Sequence, residues 1–342
     1  MSPAYQYYFI TLLIFFGVNT IACWSLNIQY GVGGVMNFAF IMFQALGAYL
    51  GGVLTLGPST GASFQQYVFG ATLPFPLPWL VAAAAGAALA WVVGSFALRP
   101  ARRDFQAMVM LVVSIIASTV VLTEGWLFNG MNGIAAIPKP FQSRLSLGEI
   151  QYGWFYAGMT AVMVLLVYLL VHHRLTGSPW GRRLRAMREH PEALSSLGVN
   201  VRAESMKVYV LGGALASLSG AILVQFIGAW SPGSWGTGET FLYFVAVIVG
   251  GAGNNFGAML GAAVVLGVFE ESLRYLPSFG YAGLAEAIQF MLLGVLILAF
   301  LWFRPSGLVP ERRRRLTRLL RGAVPAGGEP QAGPGQPTAA SP

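Results

Sequence analysis

Charge is scarce in this sequence. Asp, Glu, Lys and Arg make up 9% of 342 residues, against 56% hydrophobic residues. A water-soluble domain carries roughly 25% charged residues. So small a share cannot clothe a chain of this length in water, which excludes a soluble globular fold and leaves lipid as the solvent. The first charged residue of either sign is Arg99, so the N-terminus lacks the basic n-region of a cleavable signal peptide. The first apolar run is therefore expected to stay in the protein. The single cysteine, Cys23, excludes an intrachain disulfide and a cysteine-based metal site. The three histidines, His172, His173 and His190, form no cluster at ligand spacing. No G-x-x-x-x-G-K-[ST] run occurs, so the chain has no P-loop with which to hold ATP. No catalytic residue, metal or cofactor is expected.

What is present is a series of long apolar runs. Taking about 20 uncharged apolar residues as a span, crossings are expected over Tyr8–Leu26, Val35–Leu56, Trp79–Leu98, Met108–Leu122, Trp154–Val171, Val208–Trp230 and Gly283–Trp302. Two shorter segments, Phe241–Gly250 and Phe256–Phe269, flank Gly250-Gly251-Ala252-Gly253-Asn254-Asn255. The expected fold is all-α, a polytopic transmembrane bundle of about nine crossings, eight or ten if the short pieces are re-entrant. Gly33 and Gly34 mark one helix break, and Gly250, Gly251 and Gly253 another. Small residues recur at four-residue spacing (Gly47 and Gly51, Gly213 and Ser217, Ala216 and Gly220, Gly257 and Gly261), which suits close helix packing in a membrane.

The net charge is +8, but the basic residues lie between apolar blocks and in the tail, so they read as an orientation signal and not as a nucleic-acid surface. Arg99, Arg102 and Arg103, then seven basic residues between Arg174 and Lys207, then Arg304 and the arginines of the tail are separated by even numbers of crossings and fall on one side. Lys139, Arg144 and Arg274 are left for the other. The positive-inside rule puts the C-terminus in the cytoplasm, and an odd count puts the N-terminus outside. Residues 1–308 form the expected membrane domain. Residues 309–342 form a cytoplasmic tail, with Arg312–Arg321 an amphipathic stretch on the anionic leaflet and Gly322–Pro342 disordered.

The charged loop from Arg174 to Lys207 has internal order. Ser178 suits a helix N-cap with Pro179 at the first position. The helix Pro179–Glu189 puts Trp180, Leu184 and Met187 on one face, with Arg182, Arg183, Arg185 and Arg188 on the rest. Pro191 ends it and opens a second helix to Leu197, for which Gly198 is a left-handed cap. This describes a hairpin with an apolar ridge, read as a knob for a groove on a partner protein or as an element lying on lipid.

Polar residues at membrane depth are costly and hence candidates for a substrate path. They are Asn37 after the first break, Asn129 and Asn132 in a turn near the outer face, and Glu239 before a short segment. The plainer readings are a helix–helix bond or cap for Asn37 and a surface turn for Asn129 and Asn132. Glu270, Glu271 and Glu286 read as solvated groups at an outer loop. A proton-coupled secondary transporter would want carboxylates or histidine in mid-span, and the central spans have none. A channel would need a filter, and nothing here selects an ion. A membrane enzyme would want paired acid–base groups; Asp104 and Glu124 stand at opposite ends of one span.

The loop Ser178-Pro179-Trp180-Gly181-Arg182-Arg183-Leu184-Arg185-Ala186-Met187-Arg188-Glu189-His190-Pro191-Glu192-Ala193-Leu194, ending in Leu197-Gly198, resembles the coupling loop of permeases of the branched-chain amino acid ABC importer family (LivM-type). Three more stretches resemble that family in its order. They are Leu26-Asn27-Ile28-Gln29-Tyr30-Gly31 through Asn37-Phe38-Ala39, then Val249-Gly250-Gly251-Ala252-Gly253 with Phe256-Gly257 and Leu260-Gly261-Ala262, then Phe303-Arg304-Pro305-Ser306-Gly307-Leu308. The likeness covers roughly residues 20–308. Arg102-Arg103-Asp104-Phe105 departs from it, lacking a glycine that many members carry there. The resemblance implies a transport subunit of the bacterial inner membrane that is not itself an enzyme. It implies a sister permease, two ATP-binding subunits and an extracytoplasmic substrate-binding protein as partners, and transport by alternating access. It implies that Trp180, Arg182, Leu184, Arg185, Met187, Glu189, Glu192 and Gly198 couple to the ATPase. Urea and short-amide importers use similar permeases; Asn132-Gly133 followed by Ile137-Pro138 looks closer to the amino-acid branch.

Overall fold

The computed structural model describes residues 3–59, 65–99, 102–142, 146–176, 178–273 and 284–311. The expected amphipathic and disordered parts of the tail, Arg144, Arg274 and the side chain of Glu286 lie outside the described residues.

The described chain is helical. Helix α1, Pro3–Leu26, continues through a π-helical turn, Asn27–Val32. Then come α2, Phe40–Leu56, α3, Leu77–Ala97, α4, Arg103–Thr123, and α5, Glu149–Val171, which runs into a π turn at His172–Thr176. The hairpin is α6, Pro179–Glu189, and α7, Pro191–Ser196. Beyond it lie α8, Val201–Ile227, α9, Thr237–Gly250, and α10, Asn255–Gly261, which continues through Ala262–Phe269 to Leu273. Helix α11, Leu284–Phe303, is the last. Among the described residues, α1, α3, α4, α5 and α8 are long and apolar enough to cross a membrane, and Phe40–Leu56, Thr237–Gly250 and Ala287–Phe303 are shorter apolar helices. These and the broken α10 stand where the apolar runs lie, so the chain is an all-α polytopic membrane protein.

Helix α8 is the axis of the bundle. It packs against α1, α2 and α3, and 78% of its apolar window is buried, against 22% for α4. The cause is visible in its side chains. Gly212, Gly213, Ala216, Ser217, Gly220 and Ala221 leave it thin enough for neighbours to close in on several sides. Gly47 of α2 meets the backbone of Ser217, and Gly220 meets the backbone of Gln44. Helix α4 instead turns Phe105, Met108, Val112, Ile115 and Ile116 outward, an apolar surface suited to lipid.

Several helices start before their apolar runs, among them α1 at Pro3, α4 at Arg103 and α5 at Glu149, and two further boundaries differ for a visible reason. Helix α2 starts at Phe40 and not at Val35, because Asn37 turns its side chain onto the backbone N–H of Ala39 (3.0 Å) and holds the preceding residues out of the helix. Helix α8 starts at Val201, seven residues before the apolar run. The Asn200 side chain caps it by accepting from the N–H of Ala203 (3.0 Å), and Glu204 and Lys207 pair on its first turns (2.9 Å). Arg202 and Lys207 therefore belong to the central helix and not to the loop.

Candidate functional site

Two places in the bundle carry chemistry: the hairpin at one end and a cavity toward the other.

The hairpin is locally over-determined. The Ser178 hydroxyl accepts the N–H of Gly181 (3.1 Å). At the far end, the N–H of Gly198 donates to Ser195 (2.9 Å) and that of Val199 to Leu194 (3.3 Å), with Gly198 left-handed at φ +82°. That paired return of N–H groups satisfies the last carbonyls of α7. The ridge, however, faces inward. Leu184 and Met187 are buried in the chain's own core, and Trp180 is half-buried, its indole N–H donating to Glu204 (2.6 Å). The reading of the ridge as a knob for a partner is corrected by this burial. Helix α6 lies on the π turns that end α1 and α5, and those turns need an apolar cover. Arg185 also turns inward, donating to the carbonyl of Leu175 (3.1 Å). The residues that the hairpin shows to solvent include Arg182, Arg183, Glu189, His190, Glu192, Leu197 and Gly198. Leu197, 79% exposed, was missed; an apolar residue directly before a cap glycine was the available signal.

The end of the bundle that holds the hairpin also holds the basic residues. Arg202 reaches the Ser95 carbonyl at the end of α3 (2.9 Å), and Arg103 at the start of α4 donates to the carbonyl of Met187 (2.9 Å). The chain after α11 is pinned beside the α9–α10 break, where the N–H of Leu308 donates to Val249 (2.8 Å) and that of Val309 to Gly250 (3.0 Å). The described members of the three basic groups thus lie at one end. Lys139 is elsewhere, over the ring of Tyr152.

The cavity has a volume of about 780 Å³ and is lined by the first half of α1, α2, the end of α8, the start of α9 and the end of α10. Its deep polar wall is a relay: Gln44 donates to the Tyr243 hydroxyl (3.0 Å), which donates to Asn19 (3.2 Å). Toward the mouth stand Glu239, Glu270 and Glu271, the last accepting from the Tyr8 hydroxyl (2.8 Å). The two acidic residues that the sequence read as loop groups, Glu270 and Glu271, are partly buried cavity walls, because α10 continues past Phe269 to Leu273.

Of the four path candidates, Glu239 lines this cavity. Asn37 is fully buried, its amide donating to Gln29 (2.7 Å), and closes the α1–α2 break. Asn129, at φ +65°, donates to the Gly133 carbonyl (2.8 Å), and Asn132 is exposed on the next turn, so both belong to a surface turn. Asn19, Gln44 and Tyr243 were missed, although an amide inside an apolar run is the signal that selected Asn37.

Comparison with known proteins identifies the family of the sequence. The sequence model of the family described as branched-chain amino acid transport system / permease component matches residues 8–301. The "Probable branched-chain amino acid transport permease protein LivM" of Methanocaldococcus jannaschii is 27% identical over 88% of this chain and 93% of its own. The high-affinity branched-chain amino acid transport system permease protein LivM of Escherichia coli is 29% identical over 88% of this chain and 69% of its own. The fructose import permease protein FrcC of Rhizobium meliloti is 26% identical over 78% of this chain and 72% of its own. No solved structure matches the chain. With nearly the whole described bundle inside the match, this chain belongs to the permease components of branched-chain amino acid transport systems.

Proposed function

We propose that the chain is the membrane-spanning subunit of an ATP-driven importer that carries branched-chain or related hydrophobic amino acids by alternating access. Separate ATPase subunits hydrolyse ATP, a sister permease completes the path, and an extracytoplasmic binding protein delivers the cargo. The observation that carries this reading is the doubly capped α6–α7 hairpin, braced against the core from inside while Arg182, Glu189, Glu192 and Leu197 stay exposed. A connector needs no such bracing; a lever pushed by a partner does. The basic residues gathered at that end support a cytoplasmic hairpin and C-terminus in a bacterial inner membrane.

The cavity supports the cargo. It sits toward the other end of α1, away from Gly31, where the hairpin is anchored. From Asn19 to Gly31 is roughly 18 Å along a helix, and with the hairpin taken as cytoplasmic the cavity would lie toward the side from which an importer loads. Its walls combine apolar rings with carboxylates at the mouth, which suits an apolar side chain carrying an ammonium group. A neutral urea or a sugar could donate hydrogen bonds to those carboxylates but brings no positive charge to pair with them. The experiment is uptake of labelled leucine into proteoliposomes holding this chain with its sister permease, ATPase pair and binding protein. ATP-dependent leucine uptake with no fructose or urea uptake is the expected result; uptake independent of ATP refutes the reading.

A further inference from the structure

Both helix breaks, far apart in sequence, close on one side chain. Arg188, in the last turn of α6, donates through one guanidinium nitrogen to the carbonyl of Gly31 in the π turn of α1. Through the other it bonds Glu311 (2.6 Å). A Cβ added at Gly34 would lie 2.9 Å from the Arg188 Cγ, and one added at Gly253 would lie 2.9 Å from its Nη1 and 2.8 Å from the Glu311 carboxylate. Gly34 and Gly253 have φ +68° and +86°. Both conformations favour glycine, and the space beside each is occupied by the Arg188 side chain, joined at Gly253 by that of Glu311.

The surroundings make this a stiff joint. Arg103 donates to the carbonyls of Met187 (2.9 Å) and Arg188 (3.2 Å), fixing the end of α6. Glu311 is also 3.4 Å from the Nε of Arg185. Asn254 donates to the carbonyl of Pro310 (3.1 Å), and Asn27 accepts the N–H of Gly253 (2.8 Å), which ties one break to the other. The Arg188 and Glu311 side chains are 22% and 19% exposed, so water screens the pair little. A guanidinium binds two acceptors in fixed directions, which an ammonium on a flexible stem does not.

We propose that Arg188 is a positioning residue that transmits displacement of the α6–α7 hairpin to the α1–α2 and α9–α10 breaks together, with Glu311 as its second anchor. The inference rests on the reading above that the hairpin receives the stroke of an ATPase. Its content is that the two breaks move as one body with the hairpin. A bond that only added stability would leave the ratio of transport to hydrolysis untouched.

The test uses the full complex in proteoliposomes with labelled leucine, reading uptake per ATP hydrolysed. Glu311→Gln and Arg188→Lys are expected to assemble and to keep basal ATP hydrolysis, with the ratio falling about tenfold, within the range of coupling between sites. Arg188→Glu and Glu311→Arg singly should lower it further, and the double reversal should recover part of it. Should the reversals fail to assemble, Glu311→Gln alone still decides. An unchanged ratio in that variant overturns the proposal. So does a loss of uptake and hydrolysis in equal proportion without recovery in the double reversal. A wild-type complex with no ATP-dependent uptake would instead refute the importer reading, and this inference with it.

Discussion

The indole N–H of Trp180 donates to the carboxylate of Glu204 at 2.6 Å, tying the first turn of the hairpin to the first turn of the central helix. Glu204 is 5% exposed and is held on its other side by Lys207. Helix α6 is therefore mounted at its start on α8 and at its end, through Arg188, on Gly31 and Glu311, with its apolar ridge pressed between.

Removing that donor should loosen the mount without emptying the site. Trp180→Phe keeps an aromatic ring and loses the N–H. A hydrogen bond to a charged group contributes about 1.5–3 kcal/mol, so amide exchange over residues 178–190 should accelerate by roughly tenfold or more. The rest of the bundle should keep its protection. Unchanged exchange in the hairpin would contradict the mounting role.

Two leucines of the hairpin should behave oppositely. Leu184 is fully buried, and Leu184→Ala should destabilise the bundle by about 2–5 kcal/mol, seen as a lower melting temperature in detergent. Leu197 is exposed, and Leu197→Ala should leave the melt within about 0.5 kcal/mol of wild type while weakening co-purification with the ATPase subunits. Equal losses of stability would mean that the hairpin docks differently.

The α2–α8 contact leaves no room for a branched side chain. Gly47 meets the backbone of Ser217, so Gly47→Val should prevent the two helices from closing and yield aggregated protein on size exclusion. Gly158 has open space around it, and Gly158→Val should elute as wild type does.

In the cavity, Tyr243→Phe removes the hydroxyl that links Gln44 to Asn19. Both amides then lose a partner in a low-dielectric wall, which should raise the KM for uptake with little change in basal ATP hydrolysis. A lower melting temperature with an unaltered KM would make the relay structural only.

Orientation can be read with one introduced cysteine at a time, since the native Cys23 is buried. Glu192→Cys should react with a membrane-impermeant thiol reagent only after the cells are opened. Met131→Cys, at a position 78% exposed beyond α4, should react in intact cells. The reverse pattern would invert the topology.

Much of this protein is legible in its sequence. Scarce charge demanded lipid, apolar runs marked the spans, and the glycine clusters marked the breaks. Capping chemistry fixed the hairpin's two helices to within a residue, because a serine cap, two prolines and a cap glycine act over four or five neighbours in sequence. Contacts between residues far apart in the chain were not legible. Periodicity identified the ridge of Trp180, Leu184 and Met187 but not which way it faces, since an apolar stripe suits a partner, a membrane or the chain's own core equally well. The cavity wall joins Asn19, Gln44, Tyr243 and Glu270 from four helices, and only packing brings them together. Glu311 reads in sequence as one acid before an arginine run; the tertiary structure makes it the anchor of Arg188. Local order follows from bonds between near neighbours, which sequence spacing encodes. The machine-like part of this molecule depends on which distant surfaces meet, and that is decided by the fit of whole helices.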